Sequence, residues 1–112
     1  MEYKSFAFAV NIVNINRYLV ESKREYIISK QLLRSGTSIG ANIAEAQFAQ
    51  SKADFGSKMQ ISLKEANETI YWIRLLEATN ILKPEETIDI LNECNELINM
   101  LVATCKTVIP RS

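Results

Sequence analysis

A chain of 112 residues has room for one domain around one hydrophobic core, and not for two. Its hydrophobic share of 47% and charged share of 23% suit a globular protein, and three glycines with two prolines are too few for a turn-rich β fold. Thirteen Lys and Arg balance thirteen Asp and Glu, so the strong basic excess of a dedicated nucleic-acid binder is missing; with no histidine, the commonest general base and metal ligand is missing too.

No apolar run approaches the roughly 20 residues that a membrane span needs, so no membrane association is expected. The apolar patch Phe6 to Val10 is preceded by Glu2 and interrupted by Asn11, and no small-residue cleavage site follows. A signal peptide is therefore not expected, and the cytoplasm is the expected location. Charge is unevenly spread. Residues 1–24 are mildly basic, and residues 81–112 are mildly acidic.

The first predicted helix spans about residues 2–22. Tyr3, Phe6, Val10, Val13, Leu19 and Val20 recur at helical spacing as its inward stripe, widened by Ile12 and Ile15. The polar run Glu21-Ser22-Lys23-Arg24-Glu25 breaks it.

The second predicted helix, about 25–49, contains the most unusual stretch of the chain. Arg34, Ser38, Asn42 and Glu45 are spaced by four, four and three, which at about 100° per residue puts them in one narrow sector. Ile39 and Ile43 fall on another sector as the core face. Gly36, Gly40 and Ala44 form a third line, predicted to let another helix pack closely. Each interior glycine costs about 1 kcal/mol relative to alanine, so close packing must offset it. The alternative is a local kink near Gly36 to Gly40. A phosphate-binding loop does not fit, because no strand precedes the stretch and no Gly-Lys-Ser/Thr follows it.

Ser51 is the predicted N-cap of the third helix, about 52–78, with Asp54 in its first turn. Its core stripe is Phe55, Met59, Leu63, Ala66, Ile70 and Ile73. Ile61, Glu65, Glu68, Trp72 and Leu75 line the face away from that stripe, where a small monomer should be polar. Trp is favoured at interface centres, so Ile61, Trp72 and Leu75 are read as a self-association surface, against the plainer reading of scattered exposed apolar residues.

Pro84 opens the fourth helix, about 84–108, followed by Glu85 and Glu86 in the first turn. Ile88, Leu91, Ile98, Leu101, Cys105 and Val108 are its predicted inward residues, and Pro110 its stop. Cys94 and Cys105 lie about three turns apart on it, roughly 16 Å, too far for a disulfide, and are read as core fillers. Four long helices joined by short polar breaks predict an all-α fold, an antiparallel up-down-up-down four-helix bundle in one domain.

No nucleophile has an evident activating partner, and the Glu65/Glu68 pair lacks the His of ferritin-like metal sites. No catalytic residue, metal site or cofactor is expected. Antiparallel neighbours joined near residue 51 pair positions whose numbers sum to about 102, which sets Arg34 level with Glu68 and Ser38 level with Lys64. Arg34 is expected to pair with Glu68 or Glu65, within or between subunits. The bland reading of the Arg34/Ser38/Asn42/Glu45 stripe is a solvated helix face.

The stretch Gln31-Leu32-Leu33-Arg34-Ser35-Gly36-Thr37-Ser38-Ile39-Gly40-Ala41-Asn42-Ile43-Ala44-Glu45 resembles the hallmark of a bacterial four-helix-bundle family. These proteins are encoded in intervening sequences of the large-subunit ribosomal RNA gene and are often labelled ribosomal-protein-like. Lys64-Glu65-Ala66-Asn67-Glu68-Thr69-Ile70-Tyr71-Trp72-Ile73-Arg74-Leu75-Leu76 and Leu82-Lys83-Pro84-Glu85-Glu86 carry the same likeness. The resemblance implies a ring of bundles, typically a homopentamer, without enzymatic activity. Arg34, Ser38, Asn42, Glu45, Glu65, Glu68, Tyr71 and Trp72 match its pattern. A group similar in fold, the accessory proteins of diversity-generating retroelements, binds a reverse transcriptase and nucleic acid through strongly basic rings, from which this neutral chain departs. Two functions are expected to compete: an oligomeric scaffold or adaptor for an unknown protein partner, and an RNA-binding accessory protein.

Overall fold

A computed structural model describes residues 1–108 as four helices: α1 (Glu2–Glu21), α2 (Ile28–Ala46), α3 (Lys52–Ala78) and α4 (Pro84–Val108). They form an antiparallel up-down-up-down bundle of 44 × 22 × 21 Å, in which each helix packs on its sequence neighbours and α4 closes against α1. Pro110, the expected stop of the fourth helix, lies outside the described residues. No helix among the described residues is long and apolar enough to cross a membrane.

Local chemistry sets the helix ends. Arg24 takes a left-handed backbone (φ 56°), after which the Glu25 carboxylate accepts hydrogen bonds from the backbone N–H groups of Ile27, Ile28 and Ser29 at 3.1, 3.1 and 2.7 Å. One side chain thus satisfies three otherwise orphaned donors and puts negative charge at the positive end of α2. Because Glu25 serves as the cap, α2 begins at Ile28 and not near residue 25. Burial pushes the Glu25 carboxyl up, but the three backbone donors and the Ser29 side chain outweigh it, and the net shift is downward.

At the other end, Gln47, Phe48 and Ala49 each donate to the carbonyl three residues back, so α2 tightens and stops at Ala46, short of residue 49. Ser51 then caps α3: its Oγ accepts from Asp54 N at 3.0 Å, while Asp54 accepts from Gln50 N at 3.3 Å. Asn80 (φ 62°) ends the α3 turn, and both Ile81 N and Leu82 N return to the Leu76 carbonyl.

The core is built from Phe8, Ile12 and Leu19 of α1, Leu32, Ile39 and Ile43 of α2, Met59, Ala66, Ile73 and Leu76 of α3, and Ile90, Cys94, Leu97 and Leu101 of α4. On α1 this reverses part of the expected stripe. Tyr3, Phe6 and Val10 are 85%, 72% and 45% exposed, and Ser5, Phe8 and Ile12 face inward instead. Helix α1 carries apolar residues on two faces, and only the Ser5/Phe8/Ile12 line fits the small-residue face of α2. On α4, Ile88 is exposed, while Leu91, Ile98 and Cys105 flank the core. The inward line is set by Thr87, which donates to Glu77 at 2.6 Å, and by Cys94, whose Sγ lies 3.5 Å from the Ala66 carbonyl. On α3, Met59, Ala66 and Ile73 take the expected core positions, with Phe55, Leu63 and Ile70 at the flank.

The glycine pair packs α1 and introduces no break: α2 is helical through both positions. A Cβ on Gly36 would lie 2.8 Å from Ile12 Cγ1, and one on Gly40 would lie 3.2 Å from the Ser5 carbonyl oxygen. Ala44, the expected third member of that line, is exposed, because it stands level with the first turn of α1 and has little of that helix against it.

Gly36→Ala is expected to lower stability by about 1 kcal/mol, since overpacking against buried Ile12 (about 1–3 kcal/mol) exceeds the gain in helix propensity (about 1 kcal/mol). Urea denaturation checks this, and a more stable variant would contradict it. Glu25→Ala should cost about 1–2 kcal/mol at pH 7. Because the folded Glu25 value is depressed, its contribution is present above the ordinary glutamate range and fades as pH falls through the folded value. The gap between wild type and variant should therefore close in acid titrations of the unfolding midpoint.

Candidate functional site

Small side chains bring α2 and α3 together, and that closeness builds the polar cluster. The hydroxyls of Ser35 and Thr69 hydrogen-bond at 2.9 Å, and Ser62 donates to the Ile39 carbonyl at 2.8 Å, all within the buried seam. Just outside it, the half-exposed Arg34 side chain crosses to α3. Its Nη1 donates to Glu65 Oε2 at 3.0 Å, its Nη2 to Glu68 Oε2, and its Nε to Gln31 Oε1 at 3.2 Å. Both carboxylates are reached within one chain.

The rest of the stripe divides by chain length. Glu45 reaches Lys58 of α3 at 3.4 Å. Ser38 and Asn42 are too short to cross, and donate to the carbonyls one turn back, Arg34 at 2.6 Å and Ser38 at 2.8 Å. Ser38 therefore bonds along its own helix and makes no bond to Lys64. All four stay on one partly exposed face, as their spacing implied.

The apolar face of α3 is less open than its pattern implies. Trp72 is half-buried against the core, and its indole N–H donates to Glu68 Oε2 at 2.9 Å. Leu75 is also half-buried, which leaves Ile61 at 41% and Tyr71 at 59% exposure. The Tyr71 ring meets Trp72 edge-on, with centroids 5.0 Å apart. Ile61, Trp72 and Leu75 do not form one open patch.

A more exposed aromatic surface lies elsewhere. An open groove of about 800 Å³ runs between the start of α1 and the end of α2, with Tyr3, Phe6, Gly40, Ala41, Ala44 and Phe48 among its lining residues. Phe48 is 86% exposed. Sequence reasoning missed this surface because Tyr3 and Phe6 were assigned inward. The available signal was Phe48 itself, an aromatic residue in the last predicted turn of the second helix that falls off the Ile39/Ile43 core sector.

The chemistry of these groups is that of packing and pairing. Burial pushes the Cys94 thiol up to about 12, so it stays protonated and unreactive at neutral pH. Cys105 is unpaired and is also shifted upward by burial. Among the described residues no group of three or more Cys, Asp or Glu side chains is placed to hold a metal ion.

The family model described as 23S rRNA-intervening sequence protein matches residues 2–103. Among solved structures, the chain is similar to a protein of unknown function from the S23 ribosomal protein family of Bacteroides thetaiotaomicron, known from a crystal structure. The two are 50% identical, the match covers 94% of each chain, and the TM-score is 0.92. A comparison with curated proteins finds no match.

Arg34→Ala should leave Glu65 and Glu68 facing each other across a turn without their cation. The expected cost is about 1–2 kcal/mol, below that of a fully buried pair because Arg34 is half-exposed. Thermal melting reads the loss, and a shift in Trp72 emission reads the disturbance of the Glu68 bond. An unchanged melting temperature and spectrum would show that the cluster contributes nothing to the fold.

Proposed function

Since this chain belongs to the 23S rRNA-intervening sequence protein family, we propose that it is a non-enzymatic, self-associating scaffold or adaptor whose assembled form presents a surface to another protein. One observation carries the reading. Tyr3, Phe6 and Phe48, all at least 72% exposed, gather around one apolar groove, a contiguous greasy surface of the size that commonly marks an interaction site. The family likeness implies a ring, typically of five copies. The buried, protonated Cys94 and the absence of histidine from the sequence accord with a role outside catalysis.

A second reading, an RNA-binding accessory protein, is favoured by a different observation. Arg17, Lys23, Arg24 and Lys30 are all exposed at the end of the bundle where α1 turns into α2, and ring assembly would multiply them. Zero net charge argues against it.

Light scattering should return a mass several times 12.7 kDa at micromolar concentration, five times that value for a homopentamer. A lone 12.7 kDa species up to tens of micromolar would overturn the scaffold reading. Gel-shift titration against structured RNA at two salt concentrations separates the readings. No binding at low salt is expected; tight binding that falls steeply with log salt would favour the second.

A further inference from the structure

We propose that the groove between the start of α1 and the end of α2 is the contact through which one copy of this chain holds another, with Phe6 and Phe48 as its anchors. The inference rests on the self-association proposed above and adds to it the surface and the anchoring residues.

The groove has a defined construction. Tyr3 and Phe6 rise from α1 on one side, and Phe48 follows the last turn of α2 on the other. Gly40, Ala41 and Ala44 lie between them. Since Gly40 admits the Ser5 backbone, the two helices nearly touch, and the floor is shallow and free of large side chains. Bulky aromatic rims beside a small-residue floor supply both knobs and holes on one face.

Charge and area identify the occupant. Glu2 is the one ionisable side chain other than Tyr3 among the lining residues, and no cation is among them, so a nucleic acid or an anionic lipid surface finds nothing there to pair with. A second copy of a chain with zero formal charge is not repelled. An aromatic side chain buries about 150–250 Å² when covered, so Tyr3, Phe6 and Phe48 together offer roughly 500 Å². That is more than half of the about 800 Å² per partner that a stable protein contact removes from water. The alanines that line the groove, Ala9, Ala41 and Ala44, add to this patch. Ile61 on α3 is exposed but lies outside this groove, the kind of isolated exposure that needs no partner. Tyr71 lines a separate groove between α3 and α4 with Leu75 and Leu91, but Arg74 and Glu77 also line that groove and make it the more polar of the two.

The test uses the full chain and compares wild type, Phe6→Ser/Phe48→Ser and Ile61→Ser by light scattering across concentration. Helical circular dichroism and Trp72 emission monitor the fold, because Trp72 does not line the groove. Loss of an aromatic anchor should weaken association by about thirty-fold or more. The double variant should therefore run as a 12.7 kDa species at concentrations where wild type and Ile61→Ser are assembled. Should the double variant lose its helical signal, Phe48→Ser alone serves, because Phe48 lies outside the helices and is 86% exposed. An assembled wild type whose mass is unchanged by these substitutions would overturn the proposed surface while leaving self-association standing. A wild type that stays at 12.7 kDa would overturn both.

Discussion

The bundle depends on how little side chain α2 presents along two of its edges. Toward α1 it offers Gly36 and Gly40, so that Ile12 and the Ser5 backbone sit where a Cβ would otherwise be. Toward α3 it offers Ser35 and the carbonyl of Ile39, which meet the hydroxyls of Thr69 and Ser62. Two interior glycines cost about 2 kcal/mol of helix propensity, and close contact over the core must offset that. A buried hydroxyl without a partner would cost about 1–3 kcal/mol more. Among the described residues, no buried side-chain nitrogen or oxygen lacks one. The seam is therefore tight and satisfied at once, which large apolar residues on α2 would have prevented.

The Arg34 cluster follows from that closeness. Only where α2 and α3 approach so nearly can one guanidinium reach two carboxylates one turn apart on the facing helix. Glu68 also accepts from the Trp72 indole, so Arg34, Glu68 and Trp72 share one network. With Arg34 half-exposed, the network adds modestly to stability. Its larger effect is on register. A slide of α3 by one turn against α2 would break the Arg34 pairs and the Ser35–Thr69 and Ser62–Ile39 bonds together, so polar and packing terms select the same alignment.

The number of helices, their order and the α2–α3 register were legible because they rest on spacing. Arg34 and Glu68 fall level by loop position alone, and Gly36 and Gly40 announce a close neighbour. Two things were not legible. Helix α1 has apolar residues on two faces, and periodicity cannot rank them. Ser5 is inward because Gly40 leaves room for it, a fact about α2 and not about α1. Ile88 on α4 lost its inward place in the same way, to a line fixed by Thr87 on Glu77 and Cys94 on Ala66. The ends of α2 moved inward because Glu25 works as a cap and residues 47–49 tighten into a turn. The errors on α1 and α4 concerned a choice that a neighbouring helix makes, and those at the ends of α2 a local choice of cap and turn.

The misassigned face of α1 is also the one proposed to mediate assembly, and the coincidence has a physical cause. Gly40 draws α1 against α2, which turns Ser5 inward and thereby turns Tyr3 and Phe6 out. The same glycine lies in the floor of the groove that those rings flank. The fold and the proposed association thus meet at one residue. A side chain there would push α1 away, tilt the aromatic rims and fill the floor together, so a loss of assembly on changing Gly40 would not distinguish a broken bundle from a broken contact. Phe6 and Phe48 separate the two. They contribute little to the bundle's own packing, and most of their surface meets water in the isolated chain. Whatever free energy their burial supplies is realised only when something covers them.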